Sequence, residues 1–78
     1  MQINTIVIEP MAEGWVLRQD IVDNPQVFAS GAKAEAAARR LAESLAKVGQ
    51  VSEIQVFLRD GVLAGRFAWP AEATQKTA

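Results

Sequence analysis

The sequence predicts a small α+β fold, with one amphipathic helix packed on one face of an antiparallel sheet of four to five strands, in the order β-β-(β)-α-β-β. Three observations carry this reading. Apolar residues recur at three- and four-residue steps from Ala34 to Val48. Short β-branched or alternating runs precede and follow that segment. The dipeptide Asp60-Gly61, the strongest short-range hairpin signal, separates the last two of those runs.

From the N-terminus, Ile3 to Glu9 reads as a strand that is apolar on both sides. Ile3, Thr5 and Val7 share one side and Ile6 and Ile8 the other, a pattern expected where both faces are covered. Pro10 to Gly14 reads as a turn. Trp15 to Ile21 reads as a second strand, with Trp15, Leu17, Gln19 and Ile21 opposite Val16, Arg18 and Asp20. Asp23-Asn24-Pro25 is a turn signal, and Gln26 to Ala29, centred on Val27 and Phe28, could be a short third strand, which the sequence leaves open.

The helix is expected from Ala32 to Val48. Ser30 is placed to cap its first turn, although Lys33 stands where a capping box would carry Glu or Gln. Ala34, Ala37, Ala38, Leu41, Ala42, Leu45 and Val48 fill one arc of the wheel, and Lys33, Glu35, Arg39, Arg40, Glu43 and Lys47 the opposite arc. Glu35/Arg39 and Glu43/Lys47 are favourable i,i+4 pairs, and Gly49 is placed for a left-handed cap. An alanine-rich buried arc brings a helix close to its sheet, so Trp15, Phe67 and Trp69 are expected to supply core volume.

Glu53 to Arg59 and Val62 to Trp69 are the hairpin strands. A two-residue type I′ turn at Asp60-Gly61 sets Leu58 against Leu63, Val56 against Gly65 and Ile54 against Phe67, all toward the helix. The opposite side then carries Gln55, Phe57, Arg59, Val62, Ala64 and Arg66. Pro70 ends the strand. One domain is therefore expected over residues 1–69, with a disordered tail over 70–78.

Composition narrows function mainly by exclusion. Seventy-eight residues make one domain, and 50% hydrophobic residues exceed what one small core holds. The surplus points to a homo-oligomer, a dimer first, and to a protein-binding surface. Eight basic and nine acidic residues give a net charge of −1, without the basic excess of a duplex-DNA binder. With no cysteine and no histidine, the chain cannot build Ser-His-Asp or Cys-His catalysis, a disulfide or the usual zinc sites. No cofactor motif is present, and no loop is long enough to frame a pocket, so the chain reads as a non-enzymatic protein. It shows no signal peptide and no apolar run near the ~20 residues of a membrane span, which fits a cytoplasmic protein that does not enter membranes.

Two resemblances follow from short motifs. Gly14-Trp15-Val16-Leu17-Arg18, Lys33-Ala34-Glu35-Ala36-Ala37 and Arg59-Asp60-Gly61 together resemble a family of very short bacterial proteins of unknown function, over about residues 3–69. Val7-Ile8-Glu9-Pro10, Glu13-Gly14-Trp15 and Ala34-Glu35-Ala36 are similar to the opening of HicB-type antitoxins. The second resemblance implies a self-associating β-β-β-α-β domain that caps a small toxin ribonuclease. Asp20-Ile21-Val22-Asp23-Asn24-Pro25 stands in place of the Pro-Asp-Leu-Pro-Gly stretch usual there, so the implication is of shared fold rather than shared function.

One helix covers one face of such a sheet, and the other face is left for a partner. Arg18, Phe57, Arg59, Val62 and Arg66 are the candidate partner-binding residues on it. An arginine–aromatic sheet face can also hold single-stranded nucleic acid, although one aromatic is few for a stacking platform. Lys33, Arg40 and Lys47 form a basic stripe that reads as a solvated helix face, and Glu9, Glu13, Asp20 and Asp23 read as solubilising residues around the first turns.

Overall fold

The computed structural model describes residues 3–20 and 24–69. The expectations for Ile21, Asp23 and the 70–78 tail lie outside them. The described elements are β1 (Ile3–Met11), β2 (Gly14–Gln19), β3 (Gln26–Phe28), α1 (Gly31–Lys47), β4 (Val51–Phe57) and β5 (Leu63–Trp69). The order of the other elements is the one the sequence predicts, and the structure settles the open point by forming the short third strand.

The sheet, however, is mixed and not antiparallel. Its order is β3-β2-β1-β4-β5, and β1 pairs with β4 in parallel, Ile6 beside Ile54 and Ile8 beside Val56. Counting reversals explains the correction. β2 runs against β1, β3 against β2, and α1 carries the chain back, so β4 sets out in the direction of β1. A strand beside β1 must then be parallel to it.

The central position of β1 also explains its apolar character without a cover on both faces. Ile6 and Ile8 are enclosed beneath the helix, whereas Thr5 and Val7 are half-buried on the open side and Ile3 is exposed. The strand runs through Pro10 to Met11, leaving a turn of Ala12 and Glu13 where the sequence reads Pro10 to Gly14. The β1–β4 ladder ends at Ile8, so the missing donor of Pro10 interrupts nothing there.

Local rules account for α1. Ser30 sits in an extended conformation and its hydroxyl accepts from the Lys33 N–H at 3.2 Å. At the other end Gly49 adopts φ 81°, its N–H donates to Ala46 O at 3.0 Å, and the Gln50 N–H donates to Leu45 O at 2.9 Å. This is the paired-bond cap that a left-handed residue permits. Gly31 serves a different need, since a Cβ there would lie 3.2 Å from the Trp15 ring.

Ala34, Ala38 and Ala42, one turn apart, lose all solvent exposure against Ile6, Ile8, Leu17 and Ile54. Ala37 and Leu41 pack beside them. The expected arc is too long by its last member, because Val48 is 70% exposed. Trp15, Phe28 and Trp69 bring aromatic volume to the margins of this core. Phe67 does not, being 52% exposed.

The last hairpin departs from the expected turn. Among the described residues only glycines have positive φ, so Asp60 cannot fill a type I′ position. Instead the loop is Arg59-Asp60-Gly61. The Leu58 N–H donates to Val62 O and the Gly61 N–H to Leu58 O, each at 2.9 Å, and Asp60 Oδ1 accepts from the Val62 N–H at 3.0 Å. The extra loop residue shifts the register by one. A bulge shifts it back, for Phe57 faces Leu63 while Val56 faces Gly65, which leaves Ala64 as the residue without a partner. The expected pairs Val56/Gly65 and Ile54/Phe67 therefore form, and Leu58/Leu63 does not. Leu63 joins Phe57 on the open side, and Leu58, although expected beneath the helix, is exposed.

Lengthening a side chain in the alanine seam tests the close approach of the layers. Ala38→Leu is expected to lower unfolding free energy in urea by about 2–3 kcal/mol through overpacking. A loss below about 0.5 kcal/mol would mean that the helix stands further off.

Candidate functional site

Sheet geometry sorts the five candidate residues into two groups. Residues that pair across strands share a face, so Arg18, Val7, Gln55 and Arg66 form one row across the open face. Arg18 and Arg66 stand three strand spacings apart, roughly 14 Å. Phe57 lies one row further along and is half-buried. Arg59 lies in the hairpin loop and Val62 closes it, so neither belongs to the row: the Arg59 guanidinium donates to Met11 O at 3.2 Å, and Val62 is exposed.

Each arginine in the row has a carboxylate beside it. Arg18 Nη1 lies 3.7 Å from Glu9 Oε2, and Arg66 Nε lies 3.4 Å from Glu53 Oε1. The Gln55 amide also donates to Glu53 Oε1 at 2.6 Å. Val16 is buried beside Glu9, and Thr5 and Val7 are half-buried. The open face is thus charge-balanced and only modestly apolar. Phosphate binding needs uncompensated cations and base stacking needs several aromatic faces, and this face offers paired cations and one aromatic.

Exposed large hydrophobics lie elsewhere: Ile3, Met11, Val27 and Val48 are spread over β1, β3 and the end of α1, and four more lie at the hairpin and β5. Leu58, Val62, Leu63 and Phe67 are all exposed large hydrophobics there. Sheet width explains the exposure of Phe67. Five strands span about 19 Å between outer axes, whereas a helix with its side chains is about 10–12 Å across. α1 covers β2, β1 and β4, where Leu17, Ile6, Ile8 and Ile54 are enclosed. On the β3 side Trp15 and Phe28 fill the remaining margin. On the β5 side a groove of about 410 Å³ stays open between helix and sheet, floored by Ile54, Val56, Phe67 and Trp69 and rimmed by Glu35 and Arg39.

Sequence patterning missed this groove because it assigned Phe67 to the core on register alone. The signal available was Gly65: the ring edge of Phe67 lies where a Cβ at Gly65 would stand, 3.1 Å away, so the ring lies along its own strand and not under the helix. A second recess of about 350 Å³ lies at the other end of the sheet, between Glu9, Pro10 and the hairpin loop. Among the described residues no three acidic side chains come together to hold a metal ion, and no helix is long and apolar enough to cross a membrane. Comparison with protein-family models, with curated proteins and with solved structures returned no match.

The ion pairs on the open face are solvent-facing, with Arg66 60% exposed at its side chain. A double-mutant cycle of Arg66→Ala and Glu53→Ala is expected to give a coupling energy of at most about 1 kcal/mol, shrinking as salt is raised. A coupling several times larger would show that the face is desolvated by something that covers it.

Proposed function

We propose that this chain is a small non-enzymatic interaction module that self-associates through its sheet, at the β5 margin. One observation carries the reading: Phe67, on the outer strand β5, is 52% exposed and stands beside an open apolar groove. Scattered apolar residues are ordinary on a monomer, but an exposed aromatic beside an unfilled apolar groove on a long edge strand marks a contact surface. The absence of histidine and cysteine supports a binding role over a catalytic one and suits a reducing, cytoplasmic setting.

Nucleic acid is the weaker alternative. Arg18 and Arg66 would have to leave Glu9 and Glu53 to meet phosphates, and the net charge of −1 offers no long-range attraction.

Two measurements follow. Sedimentation of the 8.4 kDa chain over about a hundredfold range of concentration is expected to approach twice that mass; a constant monomer mass would overturn the reading. Titration of a labelled single-stranded oligonucleotide at ~50 mM salt is expected to give no saturable change in anisotropy. Saturable binding weakened by Arg66→Ala would move the function to the nucleic-acid alternative.

A further inference from the structure

We propose that two copies of the chain join edge to edge along β5, turning two five-stranded sheets into one of ten, with Phe67 of each copy meeting at the two-fold axis. The inference rests on the self-association proposed above and specifies its geometry.

The first argument is the edge itself. β5 is an outer strand, and among the described residues no element pairs with its free side. An edge strand left for solvent is usually short, or carries Lys or Pro, because a row of unpaired N–H and C=O groups invites a second chain. β3, the other edge, has only three residues. β5 has seven, of which the five from Gly65 to Trp69 run without interruption beyond the bulge at Ala64, with Arg66 as their one charge and neither Lys nor Pro among them.

The second argument is register. In an antiparallel pair, residues that face each other share a side of the sheet. Setting Phe67 against its own copy puts Arg66 against Ala68 and Gly65 against Trp69, a small residue opposite a large one in both cases. Sliding the pair by one step toward the hairpin would set Arg66 against Arg66, like charges in direct opposition. Beyond that step the bulge at Ala64 interrupts the strand.

The third argument is the groove. A two-fold axis normal to the sheet leaves both helices on the same side, so the two grooves of about 410 Å³ face each other and the paired Phe67 rings occupy the space between them. Glu35 and Arg39 rim the groove on successive turns of α1. The axis sets the two helices antiparallel, which brings Glu35 of each copy toward Arg39 of the other. The rim is complementary to itself, as an isologous contact requires.

The chain has no cysteine, so engineered thiols test the register directly. Arg66→Cys and Ala68→Cys are prepared as separate full-length variants, checked by circular dichroism for retained fold, and oxidised alone and mixed. The mixture is expected to give a covalent dimer and each variant alone very little, since only opposed positions bring Cα atoms within the roughly 4.4–6.8 Å of a disulfide. Phe67→Asp, with its fold retained, is expected to raise the dimer dissociation constant at least tenfold. If the unmodified chain sediments as a dimer but the mixture does not cross-link, self-association stands and edge pairing falls. Cross-linking by Val7→Cys, at the middle of the open face, would assign the dimer to stacked sheets instead. A chain monomeric at every concentration removes both readings and leaves the groove to another occupant.

Discussion

The close approach of α1 to the sheet through Ala34, Ala38 and Ala42 is the constraint from which the rest of the architecture follows. Three alanines one turn apart present no side chain longer than a methyl, so the helix settles directly onto Ile6, Ile8, Leu17 and Ile54. Dispersion contacts fall off steeply with separation, and a gap of even a fraction of an ångström along this seam would forfeit much of the packing that a thin core depends on. The capped ends at Ser30 and Gly49 hold the helix to the length that this seam needs.

A closely seated helix is also a narrow cover. Aliphatic side chains of leucine size would have raised α1 and spread its contacts sideways; alanine confines them to the three central strands. The margins of the sheet must then be filled from the sheet itself. Trp15 and Phe28 do so on the β3 side, helped by the missing side chain of Gly31. On the β5 side Trp69 reaches the core while Phe67 lies back over Gly65, and the groove between them stays unfilled. The two margins therefore differ: aromatic side chains fill the gap beside the helix on the β3 side, and a groove stays open on the β5 side.

The open face shows a different balance. Its arginines are neutralised across neighbouring strands by Glu9 and Glu53, so the surface is polar and self-satisfied despite its apolar centre at Val7 and Val16. Diagonal pairs of this kind contribute little stability in water, but they leave no net field to draw in a polyanion. The face that sequence patterning singled out as the candidate surface is thus charge-balanced within one chain.

Much of the local structure was legible in the residues alone. Helical periodicity, the Ser30 cap, the Gly49 terminus and the alternation within each strand are properties of consecutive residues, and backbone geometry converts them directly into elements. Even the pairing of Ile54 with Phe67 came out of the Asp60-Gly61 signal, although a longer loop and a compensating bulge at Ala64 produced it. The neighbour relations were different in kind. That β4 lies beside β1 in parallel, and that β5 ends the sheet beyond the reach of the helix, depends on which strands meet after the chain has crossed over, and no local pattern encodes that. Side assignment by alternation says that Phe67 faces the helix side, whereas exposure depends on whether a helix about 10 Å wide extends over it. The sequence by itself therefore determined the elements and their inward faces. The tertiary structure alone decided what those faces find there, because coverage is set by the relative widths of two packed layers and not by any residue's own preference.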